Sequence, residues 1–106
     1  MKLYYFNFYG RGEPIRMLAH HAKIPNFEDV RMKIEDWPTT KASGKFEFGQ
    51  VPVIEVTDEA GQVHQYSQSM SILRFLGLKY GYYPASNPEH AWACDSAVDS
   101  TKDLID

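Results

Sequence analysis

Residues 48–56 read FGQVPVIEV, and the way Pro52 is accommodated decides the fold. Val51, Val53, Ile54 and Val56 are the residues of a buried strand, yet a proline has no backbone N–H for a ladder and is rare in the body of a central strand. Two readings stand. Either the segment is not a strand, or Pro52 opens one where the missing donor does no harm, leaving neighbouring backbone groups to bind something else.

Upstream, residues 2–8 (KLYYFNF) alternate Leu3, Tyr5 and Asn7 on one face with Tyr4, Phe6 and Phe8 on the other, the pattern of an aromatic strand. EPIRMLAHHAK, residues 13–23, puts Pro14 in a first helical turn and spaces Ile15, Leu18, Ala19 and Ala22 at helical intervals. FEDVRMKI, residues 27–34, reads as a second strand with Val30, Met32 and Ile34 on one side, at the distance a β-α-β crossover needs. The segment from Glu35 to Gly49 has no clear period and room for a short helical turn after Asp36 or Trp37. Downstream, VPVIEV and QVHQY flank TDEAG as an antiparallel hairpin. SQSMSILRFLGLKYG then forms a helix with Ser67 as cap and Ile72, Phe75 and Leu76 buried. After the linker, Asn87 caps a last helix with Pro88 at its first position.

The chain has 106 residues, enough for one core. Its 43% apolar and 24% charged residues are a globular composition. A net charge of −3 without any basic run offers nothing for nucleic acid or an anionic membrane. Cys94 is the only cysteine, so no intrachain disulfide and no zinc spacing exist, which fits a reducing compartment; with no signal-peptide core and no apolar run of transmembrane length, the cytoplasm is expected.

The element order, with a proline opening the third strand, is that of thioredoxin-like domains. Four segments in order, YFNFYGRGEPIR, EDWPTTK, FGQVPVIEV and QSMSILRFL, make the chain similar to the N-terminal domain of cytosolic glutathione transferases, closest to the sigma class with its prostaglandin-D synthases and S-crystallins. The resemblance implies an α/β thioredoxin-like domain with a mixed four-stranded sheet at residues 1–82, a linker at 83–87, and at 88–106 the first helix of an all-helical domain that continues beyond this chain. It implies glutathione as co-substrate, no metal, a small hydrophobic electrophile, and a homodimer when full length.

It also implies site residues. Tyr5, followed by Phe6 and six residues before Arg11, matches the tyrosine whose hydroxyl stabilises the glutathione thiolate, and Arg11 the arginine beside it. A phenol that stays protonated at pH 7 is a suitable donor to sulfur. Trp37 and Lys41 match the positions that meet the glycyl carboxylate, with Gln50 within reach of it. Gln68 and Ser69 match the pair holding the γ-glutamyl carboxylate at a helix start, although the same residue types make an ordinary N-cap. Pro52 is then cis, and Val51 turns its N–H and C=O to the cysteinyl part. Asp103 occupies the place of an acid that reaches the neighbouring subunit's ligand, or is a solvated helix residue. The expected activity is conjugation of the thiolate to electrophiles, with glutathione-dependent prostaglandin isomerisation as a variant. The alternative is a non-catalytic, crystallin-like protein on the same fold. A thioredoxin-type redox protein is disfavoured, because YGRGEPIR has no cysteine to attack a disulfide.

Overall fold

A computed structural model describes the backbone of residues 1–105 and the side chains of residues 1–101. Strands β1 (Lys2–Phe6), β2 (Glu28–Met32), β3 (Val53–Thr57) and β4 (Val63–Ser67) form one sheet in the order β2-β1-β3-β4. β1 and β2 run parallel and are joined by helix α1 (Glu13–His21), while β3 is antiparallel to β1 and to β4. Helices α2 (Trp37–Ala42), α3 (Ser69–Tyr80) and α4 (Pro88–Ile105) complete the order. This is the mixed sheet of a thioredoxin-like domain.

Pro52 lies outside the ladder. β3 begins at Val53, which pairs with Tyr4 on one side and Ser67 on the other; Pro52 precedes it, buried, after a cis peptide bond from Val51. The second of the two readings of FGQVPVIEV is therefore the one realised.

Alternation in β1 sends Leu3 and Tyr4 into different layers. Leu3 and Ile54 meet Ile15 and Ala19 of α1 and Ile72 and Leu76 of α3, all nearly or wholly inaccessible. Burying each such aliphatic side chain stabilises the fold by about 1.5–3 kcal/mol. On the other face Tyr4 and Val53 pack with Phe46, under Trp37 of α2. There the Tyr4 hydroxyl donates to Glu55 Oε1 (3.0 Å), and Gln65 Nε2 donates both to Glu55 Oε2 (3.0 Å) and to the Lys45 carbonyl (3.1 Å). Burial, followed by the Glu55 carboxylate, pushes the Tyr4 phenol up to about 12. This polar cluster ties the loop before Gln50 to the sheet.

Several boundaries differ from the sequence expectation. β2 stops at Met32, whose partner Phe6 is the last residue of β1, so Ile34 has no strand to continue against and instead opens a 3₁₀ turn, 61% exposed. α1 ends at His21, where the Ala22 N–H bonds back to Leu18 and Lys23 adopts φ 52°. α2 is a six-residue helix rather than a single turn. Ser67 is the last residue of β4 and not a cap; the N-cap position belongs to Gln68, and no side chain caps the helix. Phe75 is half-buried, stacked on Tyr66 at 4.3 Å. Asn87 does cap α4, its Oδ1 accepting the His90 N–H at 3.1 Å.

α4 is fastened to α3 by charge. Arg74 donates to Asp95 (2.8 Å) and Asp99 (3.2 Å), and the Tyr83 hydroxyl donates to Asp95 (2.8 Å). No helix among the described residues is long and apolar enough to cross a membrane.

Candidate active site

Tyr5 sits near the C-terminal end of β1, only 6% exposed, its ring flanked by Phe6 and Phe8 at 5.4 Å. The turn between β1 and α1 wraps closely round it. A Cβ at Gly12 would stand 2.5 Å from Tyr5 Cδ2, and one at Gly10, where φ is +41°, would overlap the hydroxyl, so both glycines are required by the approach. In that turn the Arg11 backbone N–H donates to Tyr5 Oη at 3.1 Å. A phenol oxygen that accepts an N–H keeps its own O–H for another acceptor.

Arg11 also lines a polar crevice with Gln50, Val51, Pro52, Gln68 and Ser69. Three chain segments meet there: the turn before α1, the turn before β3, and the start of α3. The first ladder bond of α3 runs from the Ile72 N–H to the Gln68 carbonyl, so the N–H groups at the start of the helix have no intrahelical partner and no side-chain cap. Such a helix start suits a carboxylate. Gln68 holds φ 72° and ψ 111°, a conformation that costs a non-glycine residue about 1–3 kcal/mol. Its Nε2 donates to Gln50 Oε1 at 3.2 Å, bridging the two turns. Among the described residues no hydrogen bond uses the Val51 N–H or C=O.

The remaining sequence candidates are placed apart. Trp37 stands at the start of α2 with its ring edge-on to Phe6 (5.5 Å) and stacked on Phe46 (6.3 Å). Lys41, exposed in the last turn of α2, passes beside Gly49, where a Cβ would lie 3.6 Å from its side chain. Neither residue is among those that line the crevice. The side chain of Asp103 lies outside the described residues.

Sequence reasoning missed Arg16. It lies on α1 at 2% exposure, bonded to Asp29, to two backbone carbonyls and to Glu13. Its place one residue after Ile15 puts it beside the apolar stripe and not on it, so the sequence carried no signal for its burial.

No family model matches the chain. Individual proteins do. It is 40% identical over 104 residues to glutathione S-transferase 1 of Ascaris suum, covering 98% of this chain and 46% of that one. Among solved structures, a sigma class glutathione transferase of Fasciola hepatica superposes with a TM-score of 0.84 at 34% identity, over 97% of this chain and 47% of that one. Prostaglandin synthase D of Nilaparvata lugens does so with a TM-score of 0.79 at 42% identity, over 96% and 47%. The chain spans a little under half the length of these relatives. Identity sustained along nearly all of the chain, on the same mixed sheet, shows that it belongs to the glutathione S-transferase family, as a thioredoxin-like domain similar to that of the sigma class.

Proposed function

We propose that this chain is the glutathione-binding, thiol-activating part of a transferase that conjugates glutathione to small hydrophobic electrophiles. The observation that carries the reading is the Tyr5 hydroxyl, oriented at 3.1 Å by the N–H of Arg11, a residue that itself lines the polar crevice at the start of α3. In this reading the uncapped N–H groups of α3, with Ser69 and Gln68, hold the γ-glutamyl carboxylate. Val51 pairs through its backbone with the cysteinyl residue, adding a short strand segment beside β3. Gln50, Trp37 and Lys41 serve the glycyl end. The Tyr5 O–H donates to the sulfur and favours the thiolate, with Arg11 supporting its surroundings; the sulfur then forms a bond to the electrophilic carbon as the leaving group departs with its electron pair.

Residues 1–82 form the glutathione domain, 83–87 the linker, and α4 is the first helix of an all-helical domain that supplies the electrophile pocket and a homodimer contact. The cytosol is the expected location. The 42% identity to a prostaglandin synthase supports glutathione-dependent prostaglandin isomerisation as a second activity.

A pH titration of the ultraviolet thiolate absorbance of bound glutathione tests the reading. The midpoint is expected clearly below that of free glutathione. Tyr5→Phe is expected to keep the fold and the bound tripeptide while lowering turnover about 10²–10³-fold, the usual cost of removing one donor to a developing or resident anion. Glutathione held with an unshifted midpoint would instead support a crystallin-like role.

A further inference from the structure

α1 carries a buried cation, Arg16, beside its apolar stripe and only 2% exposed. The guanidinium of Arg16 reaches from α1 to the end of β1. Nη2 donates to the Phe6 carbonyl (2.8 Å), Nη1 to the Phe8 carbonyl (2.7 Å) and to Glu13 Oε2 (3.4 Å), and Nε to Asp29 Oδ1 on β2 (3.1 Å). Its central carbon lies 5.6 Å from the centre of the Tyr5 ring. Asp29 is itself shared: its Oδ2 accepts from Arg31 Nε at 3.0 Å, and Arg31 Nη1 donates to Asn7 Oδ1 at 2.9 Å.

These bonds bracket one stretch of backbone. Phe6 and Phe8 lie on either side of Asn7, at the point where the chain leaves β1 and starts the turn that brings the Arg11 N–H onto Tyr5 Oη. Interior pairs of this kind are poor stabilisers compared with apolar residues, since desolvating the charges offsets most of their attraction. A planar fork of five donors can, however, fix two carbonyls and a carboxylate in one geometry, which an ammonium on a flexible stem cannot.

We infer that Arg16 is a positioning residue for thiol activation: by clamping the Phe6 and Phe8 carbonyls, it holds the 7–12 turn so that the Arg11 N–H meets the Tyr5 oxygen and the Tyr5 O–H faces the ligand sulfur. The inference rests on the glutathione transferase reading. It concerns a residue that does not touch the tripeptide, so it separates activation from binding.

The test is the same thiolate titration on the wild-type chain, on Arg16→Lys and on Asp29→Asn, with glutathione affinity and melting temperature measured alongside. Arg16→Lys keeps the charge and loses the fork. Its bound glutathione is expected to titrate about one pH unit higher than in the wild type, a roughly tenfold smaller thiolate fraction at neutral pH, with affinity for the tripeptide little changed. Asp29→Asn, isosteric and partly exposed, perturbs the clamp from outside; it is expected to move the midpoint in the same direction by less, and it decides the matter if the lysine variant does not fold. Variants that lose melting temperature or affinity while the bound thiol keeps the wild-type midpoint would show a purely structural arginine and overturn the inference. A wild-type chain that binds glutathione without lowering its thiol midpoint would overturn the thiol-activating reading, and the role of Arg16 with it.

Discussion

Gln68 and Tyr4 show how differently one residue can be constrained. Gln68 is held at φ 72°, ψ 111° where glycine would be at ease, and what that geometry accomplishes is to start α3 without a cap beside Ser69. Gln68→Gly should therefore fold at least as stably as the wild type, by up to about 1 kcal/mol once the greater freedom of unfolded glycine is subtracted, while binding glutathione more weakly. Denaturant melts and a binding isotherm on the same samples check both halves. Tyr4, one residue from Tyr5 but on the opposite face, belongs to the core and to Glu55. With its phenol raised from 10.0 to about 12, the neutral form is favoured by folding, so its contribution is complete below about pH 10 and is lost as pH rises to about 12. A tyrosinate absorbance titration should lose its ring ionising at about pH 12 in Tyr4→Phe, while Tyr83, raised by its bond to Asp95, stays late, at a cost of about 1 kcal/mol for the lost hydrogen bond. The choice between two adjacent tyrosines was already legible from strand alternation and the Phe6 and Arg11 spacing. Arg16 was not, because a charge beside the apolar stripe of a helix has no partner until the sheet brings Asp29 and two carbonyls to it.

At the level of elements, the strands were easier to read than their limits. β2 ends earlier than its residue pattern suggests because an element continues only while something is there to pair with, and Phe6 is the last partner for Met32; α1 stops at His21, with Lys23 turning left-handed directly after Ala22, the last of its apolar positions. The docking of α4 on α3 depends on Arg74, Asp95 and Tyr83. The hydrogen bond from Arg74, and then that from Tyr83, holds the Asp95 carboxyl below its ordinary value. A carboxylate so depressed stabilises the docked state above the ordinary carboxylate range and ceases to do so as pH falls through its folded value. Acidification should therefore loosen α4 before it disturbs the sheet, and Asp95→Asn should do the same at neutral pH. Hydrogen exchange is the measurement: α4 amides lose protection while those of β1 and β3 keep theirs. Equal loss in both regions would mean that the helix is not a separately released element.

Across the whole molecule, ligand and fold are coupled, since the crevice draws on the β1–α1 turn, the turn before β3 and the start of α3 at once. Glutathione at a hundred times its dissociation constant should stabilise the chain by about 2.7 kcal/mol, which in a domain of this size raises the melting temperature by roughly 10 °C or more. No shift at saturating concentration would count against the tripeptide as ligand. What the sequence by itself determined is local and periodic: the alternation of β1, the helical spacing of α1 and α3, the proline that must open a strand, and four segments whose order marks the family. These need only neighbours along the chain. Tertiary structure alone decided where β2 and α1 stop, the uncapped, left-handed start of α3, the meeting of Arg11, Gln50 and Ser69 in one crevice, and the burial of Arg16. Each of those depends on backbone groups brought together from distant segments, whose hydrogen-bonding needs no single segment can reveal.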